Sequence, residues 1–221
     1  MERPHLDDEL QALKNRLLNM AALVEERTHH AIQALVERRP EQAEKVVTGD
    51  RDVNELQIEI DDRCLKLLAL QNPMASDLRL ITAAMKINAD LERIGDQAVN
   101  IAEKALDLIR LPLLKPLIDL PRMAELAERM TRDSLDAFVR RDPGLARSVL
   151  ERDDEVDSLK DQIFRELLTY MMADPTTIER ALALILVSRS LERIADHATN
   201  VAEDVIFMIE AKDVRHHHEE Q

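Results

Sequence analysis

Carboxylate and amide side chains recur at fixed helical spacing in two segments of this chain, one hundred residues apart. Residues 91–103 (LERIGDQAVNIAE) align with residues 191–203 (LERIADHATNVAE) with four mismatches. Each copy keeps a Glu, an Asp four residues later and an Asn four residues after that. Oxygen donors at this spacing share one face of a helix, where they can bind a cation or a basic partner surface. The repeat also indicates that the protein contains two copies of one structural unit.

The repeated acids are predicted to face the outside of a helical bundle. At about 100° per residue, Glu192, Asp196 and Asn200 fall within about 80° of one another, whereas the apolar stripe around Ile194 and Val201 lies about 150° away. A metal centre in a bundle core needs ligands on the inward face. The pattern therefore favours a site on the bundle surface.

A second acidic set lies on the helix before each signature. An antiparallel hairpin about Asn72-Pro73 places residue 52 beside residue 95, and a hairpin about Asp174-Pro175 repeats this arrangement in the second half. The oxygen-rich sets suit iron, manganese or magnesium better than a metal that prefers thiolates. The predicted metal-binding residues are Asp50, Asn54, Glu92, Asp96 and Asn100 in the first half, and Asp153, Asp157, Glu192, Asp196 and Asn200 in the second.

Three interpretations of these acids remain open from the residues. The first is a surface site for metal or a partner, favoured because the pattern is kept twice. The second is a carboxylate-bridged di-metal oxidoreductase, which would need inward-facing Glu-x-x-His motifs that neither signature contains. The third is a metal-independent helical scaffold whose acids only solvate the surface. We predict that the protein is not an enzyme and has no catalytic residue.

The repeat covers the whole chain and sets its domain organisation. Residues 34–40 align with 137–143 at an offset of 103, and the offset shrinks to 100 at the signatures. Prolines punctuate each half into three predicted helices, and Gly49 is a candidate break in the second of them. The predicted units are a first three-helix repeat at 1–110, a proline-rich connector at 111–120, a second repeat at 121–212 and a polar tail at 213–221.

Composition predicts an all-α protein of the cytoplasm. Of 221 residues, 45% are hydrophobic, only three are glycine and 2% are aromatic, which argues against a sheet. Cys64 is the single cysteine, so no intrachain disulfide can form, and we expect a buried structural thiol. The acidic start lacks the apolar run of a signal peptide. The longest apolar run, residues 181–187, is too short to span a membrane, so only peripheral membrane contact through partners is expected.

Charge and glycine content exclude several functions. A net charge of −14 and a pI near 5.0 repel phosphate backbones, so nucleic-acid binding is not expected. Glycine occurs only at positions 49, 95 and 144, which leaves no glycine-rich loop for a nucleotide. His29-His30 and the tail histidines His216–His218 lie outside the repeated pattern and are not predicted ligands.

The two signatures, together with the turn NPMASDLR at residues 72–79, resemble the PhoU family of phosphate-signalling regulators. The resemblance extends from the first helix to about residue 210. It implies two three-helix bundles packed side by side, with multinuclear metal clusters on their surface: iron first, with manganese, magnesium or zinc as alternatives. Asn54 departs from the family's acidic pattern, which leaves the first site one carboxylate short. The implied ligands are Asp50, Glu92, Asp96, Asp153, Asp157, Glu192 and Asp196.

The same resemblance implies a regulatory function. The family acts as a negative regulator of the phosphate-starvation response. It couples the high-affinity phosphate ABC transporter, through its ATPase subunit, to a membrane sensor histidine kinase. The resemblance therefore implies a protein-binding adaptor, expected to form a homodimer.

Overall fold

Only helices, turns and connecting segments occur in the part of the chain that this computed structural model describes, namely residues 4–49, 51–70, 73–212 and 214. The all-α prediction is confirmed. None of the helices in these ranges is long and apolar enough to cross a membrane. The predicted turn residue Asn72, the predicted ligand Asp50 and the tail histidines His216–His218 lie outside the described residues.

The two halves repeat one order of helices. In each half a long helix is followed by a short one, a helix of about twenty residues and a second long helix. The first half contains α1 (Pro4–Glu37), α2 (Pro40–Thr48), α3 (Arg51–Leu70) and α4 (Ala75–Ile109). The second contains α5 (Asp119–Arg140), α6 (Pro143–Leu150), α7 (Asp153–Ala173), a 3₁₀ turn (Pro175–Thr177) and α8 (Ile178–Glu210).

The first helix of each half ends in the same way. Arg38 and Arg141, which are equivalent in the repeat, adopt left-handed backbone conformations with φ of 55° and 52°. A left-handed residue ends the helical hydrogen-bond pattern, and the proline two residues later begins the next helix at a position that needs no N–H donor. In the second half, Asp142 also caps α6 by accepting hydrogen bonds from the amides of Gly144 and Leu145.

The predicted second helix is divided in both halves, so each half has a short helix in addition to three longer ones. The residue at the break is Gly49 in one half and Arg152 in the other, with similar right-handed φ/ψ values of −82°/−3° and −90°/−11°. This conformation is open to any residue. Glycine at position 49 instead leaves room for Arg27, whose guanidinium donates a hydrogen bond to the Gly49 carbonyl. A Cβ atom added at this position would lie 3.4 Å from that guanidinium.

The helices α4 and α8 form the centre of the molecule. Each has fifteen buried residues, and the apolar stripe of the signature accounts for many of them. The two helices pack against each other in antiparallel orientation, with Lys86 of α4 bonded to Asp204 of α8 at 2.6 Å and Asp90 of α4 facing His197 at 2.8 Å. The two bundles of the repeat therefore meet through the same helices that carry the acidic signatures.

The connector between the halves is fixed by arginines. The Arg38 guanidinium donates to the carbonyls of Ile109 and Leu111 at 2.7 and 2.6 Å, and Arg180 donates to the Pro112 carbonyl at 3.1 Å. The Ile109 carbonyl belongs to the last turn of α4, which leaves it without a helical partner, and the Leu111 and Pro112 carbonyls lie in the connector itself. The next helix begins at Asp119 and includes Pro121 in its first turn, where a proline removes no helical hydrogen bond.

Candidate functional site

The hairpin of α7 and α8 brings four carboxylates together in the second half. Lys160 of α7 contacts Glu192 of α8 at 3.0 Å, which sets the antiparallel register of the two helices. In this register the start of α7 lies beside the middle of α8, as residue counting predicts. The cluster formed by Asp153, Asp157, Glu192 and Asp196 is called here the second acidic cluster. It lies in a groove between two helices, with Asp153 and Glu192 half-buried and Asp157 and Asp196 exposed.

Two carboxylates of the second acidic cluster, Asp153 and Asp196, have raised pKa values. Partial burial, followed by the charge of Asp196 and then of Asp157, raises the pKa of Asp153 to about 6. Burial and the charges of Glu192 and Asp157 also raise the pKa of Asp196, while His197 partly opposes this change. Negative charges are therefore held close together in the groove, with incomplete neutralisation.

A lysine that the sequence analysis overlooked lies in the second acidic cluster. The Lys160 ammonium donates to Asp157 at 2.7 Å and to Glu192 at 3.0 Å, and these contacts raise the pKa of Lys160. A signal was present in the sequence, because Lys160 follows Asp157 by three residues and so shares its helix face.

The first half offers a similar set with different charges. Glu92 and Asp96 of α4 and Asn54 of α3 are half-buried, and Asp50 lies outside the described residues. The repeat places Gln57 where the second half has Lys160. The first set thus holds three carboxylates by sequence, with a formal charge of −3. The second has four carboxylates and one ammonium, and its formal charge is again −3.

The predicted ligands Asn100 and Asn200 are directed toward other partners. The Asn100 amide donates to Gln97 at 3.3 Å, and the Asn200 amide donates to Asp90 at 3.2 Å, across the contact between α4 and α8. Four residues advance a helix by about 40°, so eight residues turn these amides about 80° from Glu92 and Glu192. Their inclusion in the ligand sets is not supported by these contacts.

The donor types of the second acidic cluster fit a hard cation. Carboxylate oxygens are ligands of magnesium, manganese and iron, and the cluster combines several of them within a groove. In the present side-chain arrangement, no three His, Cys, Asp or Glu residues within the described ranges are placed to bind one metal ion. Chelation by Asp153, Glu192 and Asp196 would thus need a change of side-chain rotamer and release of Glu192 from Lys160.

The single cysteine has no part in this site. Cys64 is buried, and burial together with the charge of Asp61 raises the pKa of its thiol to about 12. A thiol with this pKa is protonated at neutral pH and is a poor nucleophile and metal ligand. The prediction of a buried structural thiol agrees with its surroundings.

Comparison with known proteins identifies the family. Two segments of the chain, residues 17–105 and 120–205, match the PhoU domain, once in each half. The chain belongs to the PhoU family. The two matched segments coincide with the two helical repeats, so the family's domain is the duplicated unit that the sequence revealed.

Two PhoU relatives share most of their length with this chain. The phosphate-specific transport system accessory protein PhoU homolog of Aquifex aeolicus is 45% identical, over 95% of this chain and 95% of the relative. The protein of the same name from Pseudomonas aeruginosa is 41% identical, over 94% of this chain and 86% of its own length.

Solved PhoU structures agree with the fold. The crystal structure of PhoU from Pseudomonas aeruginosa has a TM-score of 0.90 and 39% identity, over 93% of this chain and 99% of that structure. The phosphate transport system regulatory protein PhoU from Streptococcus pneumoniae has a TM-score of 0.87 and 30% identity, over 95% and 99% of the respective chains. The family resemblance and the predicted tandem fold are confirmed.

Proposed function

We propose that this PhoU family member is a non-catalytic cytoplasmic adaptor that regulates phosphate-specific transport. It couples the ATPase subunit of the phosphate transporter to a sensor histidine kinase and so represses the phosphate-starvation response when phosphate is plentiful. The names of the relatives support the connection to transport. The observation that carries a binding role is a solvent-exposed apolar surface beside the second acidic cluster.

This surface, the α7–α8 patch, consists of two rows of apolar side chains. The residues of each row follow one another at intervals of four, so each row lies on one face of its helix. The register set by Lys160 and Glu192 places the rows at the same level near the end of the hairpin. All six side chains are between 41% and 79% exposed. The rows are Phe164, Leu168 and Met172 on α7, and Ile178, Leu182 and Leu186 on α8.

Exposed apolar side chains in such a group are typical of protein-binding surfaces. The patch begins one turn after Lys160, so it continues directly from the second acidic cluster along α7. A partner that covers both must combine apolar residues with basic ones at their edge. We assign this surface to the ATPase subunit of the transporter, since the relatives are named for the transport system.

The test combines binding with gene regulation. Phe164→Ser together with Leu168→Ser should weaken binding of the purified ATPase subunit at least tenfold, because the centre of the interface loses its apolar contacts. Ile58→Ser is the matched control, since Ile58 is 68% exposed on the equivalent helix of the first half. Circular dichroism checks that each variant is folded.

Deletion of the gene should derepress phosphate-scavenging functions in phosphate-rich medium, and the Ile58 variant should restore repression. Unchanged regulation after deletion would contradict the adaptor function itself. If the Phe164/Leu168 variant binds the ATPase subunit as tightly as the wild type, the adaptor must contact its partner elsewhere.

We also propose that the acidic clusters bind metal, with iron first and manganese, magnesium or zinc as alternatives. Asp153, Asp196 and Glu192 would supply oxygen ligands in the second half. Metal content by mass spectrometry, measured on protein purified without chelator, should fall in Asp153→Asn/Asp196→Asn. The control is Asp161→Asn, which removes an exposed carboxylate from the same helix. Near-zero metal in all three proteins would refute this proposal and leave the adaptor function intact.

The positions of the acids support binding over oxidative catalysis. The second acidic cluster lies in a surface groove, and the α8 residues Ile194 and Ala195 beneath it are fully buried. A homodimer is also part of the proposal, and light scattering coupled to size-exclusion chromatography tests it. A monomeric mass would remove dimerisation from the proposal without affecting the binding of the transporter.

A further inference from the structure

A second groove lies where α8 meets α4. We name it the α4–α8 groove, and it encloses about 280 Å³. Its lining combines three cationic side chains, Lys104, Arg189 and Arg193, with three uncharged polar ones, Gln97, Asn100 and Ser190. Three cations around one opening are unusual in a chain with a net charge of −14.

The repeat shows how this groove differs from its counterpart at the other end of the α4–α8 contact. In the counterpart, Lys86 bonds to Asp204 at 2.6 Å, and Asp90 bonds to His197 at 2.8 Å. The repeat replaces Asp204 by Lys104 and Asp90 by Ser190. The acids that neutralise one end of the contact are therefore absent from the other.

The charges of the α4–α8 groove remain available to a ligand. Arg189 and Arg193 lie four residues apart on one face of α8, are exposed, and form no ion pair with the described part of the chain. Lys104 bonds to Asp107 at 2.9 Å on its own helix. Glu103 is the one acid in the lining, so the lining carries a formal charge of +2.

Two polar residues in the lining are buried over most of their surface. Gln97 is 3% exposed and Ser190 is 8% exposed. The Gln97 carbonyl oxygen accepts from Asn100 at 3.3 Å, but neither the Gln97 amide nitrogen nor the Ser190 hydroxyl donates to any group within the described residues. Polar groups of buried residues normally have hydrogen-bond partners, and an acceptor bound in the groove would supply one to each of these two side chains.

We propose that the α4–α8 groove binds a small phosphate-type oxyanion, either inorganic phosphate or the phosphoryl group of a small organic phosphate. Guanidinium groups match the geometry of phosphoryl oxygens, and the remaining oxygens can accept from Gln97 and Ser190. This site is separate from the acidic clusters and from the α7–α8 patch, except that Leu186 borders both. It does not rest on the adaptor function.

Isothermal titration calorimetry tests the groove directly. Inorganic phosphate and AMP are titrated separately into the full-length protein at pH 7.5 and 150 mM NaCl, because salt at this concentration screens diffuse attraction. We expect saturable binding of at least one of them. Arg189→Gln/Arg193→Gln should weaken it at least tenfold, and Ser190→Ala should weaken it several-fold. These residues are at the surface or small, and circular dichroism verifies the fold of each variant.

Arg93→Gln is the matched control, since Arg93 is the repeat equivalent of Arg193 and lies 3.5 Å from Glu92. It should leave the affinity unchanged. Tighter binding of phosphate identifies the free anion as the ligand, and tighter binding of AMP identifies an organic phosphate. Absence of saturable heat with both probes would refute the site. Equal losses in the Arg93 and Arg189/Arg193 variants would also refute it, because they would indicate general charge attraction.

Discussion

Neutralising Asp153 should stabilise the protein at neutral pH. Burial and neighbouring carboxylates raise the pKa of Asp153 from 3.8 to about 6 in the folded state. Between about pH 4 and pH 6, the folded protein therefore keeps a proton on Asp153 that the unfolded chain has lost. Since the folded state binds more protons, the free energy of unfolding falls as the pH rises from about 4 through about 6, and it stays lowered above that.

The expected gain from Asp153→Asn can be worked out from these pKa values. Each pKa unit corresponds to about 1.4 kcal/mol, so the full difference would be about 3 kcal/mol. Asp153 is only half-buried, and solvent screening reduces this value to about 1–2 kcal/mol. The residue also lies in the first turn of α7, where loss of a negative charge costs about 0.5 kcal/mol. A net gain of about 1 kcal/mol at pH 7.5 remains.

Urea unfolding followed by circular dichroism, in the presence of a chelator, measures this gain. We expect Asp153→Asn to be more stable than the wild type at pH 7.5 and nearly equal to it at pH 4.5. Asp161→Asn, on the same helix, controls for removal of one negative charge from an acidic protein. Equal gains at both pH values, or no gain beyond that of the control at pH 7.5, would refute the reasoning.

Four further substitutions test the packing and the contacts of the fold by urea unfolding. Phe138→Ala should lower the free energy of unfolding by about 3–5 kcal/mol, because Phe138 is 1% exposed, whereas Phe164→Ala, at a 48% exposed position, should lower it by less than about 1 kcal/mol. Equal losses would contradict the assigned burial. Arg38→Ala should lower the free energy of unfolding by about 1–3 kcal/mol, because the carbonyls of Ile109 and Leu111 lose their charged donor. An unchanged unfolding midpoint would show that the arginine does not hold the connector. Asp204→Ala should lower the free energy of unfolding by about 1–2 kcal/mol, a modest loss because the Lys86 side chain is 44% exposed and water can solvate it. A loss above about 3 kcal/mol would contradict this exposure of Lys86.

The backbone arrangement of the second site could be predicted from the sequence because it depends on regular geometry. The proline at position 175 fixes the turn between α7 and α8, and equal rise along two helices then brings Asp153 to the level of Asp196. Periodicity likewise located the core, since Ile194 is fully buried as its helix face predicts. These inferences require only helix geometry and the position of one turn.

The polar contacts could not be predicted in the same way because they depend on side-chain direction and on packing between the halves. The sequence gives no register for α4 against α8, so the bond between Asn200 and Asp90 was not foreseen. The spacing of Lys160 from Asp157 was visible in the sequence, but its contact with Glu192 depends on how far its long side chain reaches across to α8. The break at Arg152 also carries no sequence signal, because its right-handed backbone suits any residue.

The matched formal charges of the two acidic sets determine which exchanges of residues between the halves preserve the charge of each site. Asn54 and Gln57 in one half correspond to Asp157 and Lys160 in the other, so two positions one helical turn apart differ between the halves. Either difference alone changes the net charge of the site by one elementary charge. The two differences together leave the net charge of the site unchanged. Exchanging both residues of the pair between the halves should therefore disturb the protein less than exchanging either one.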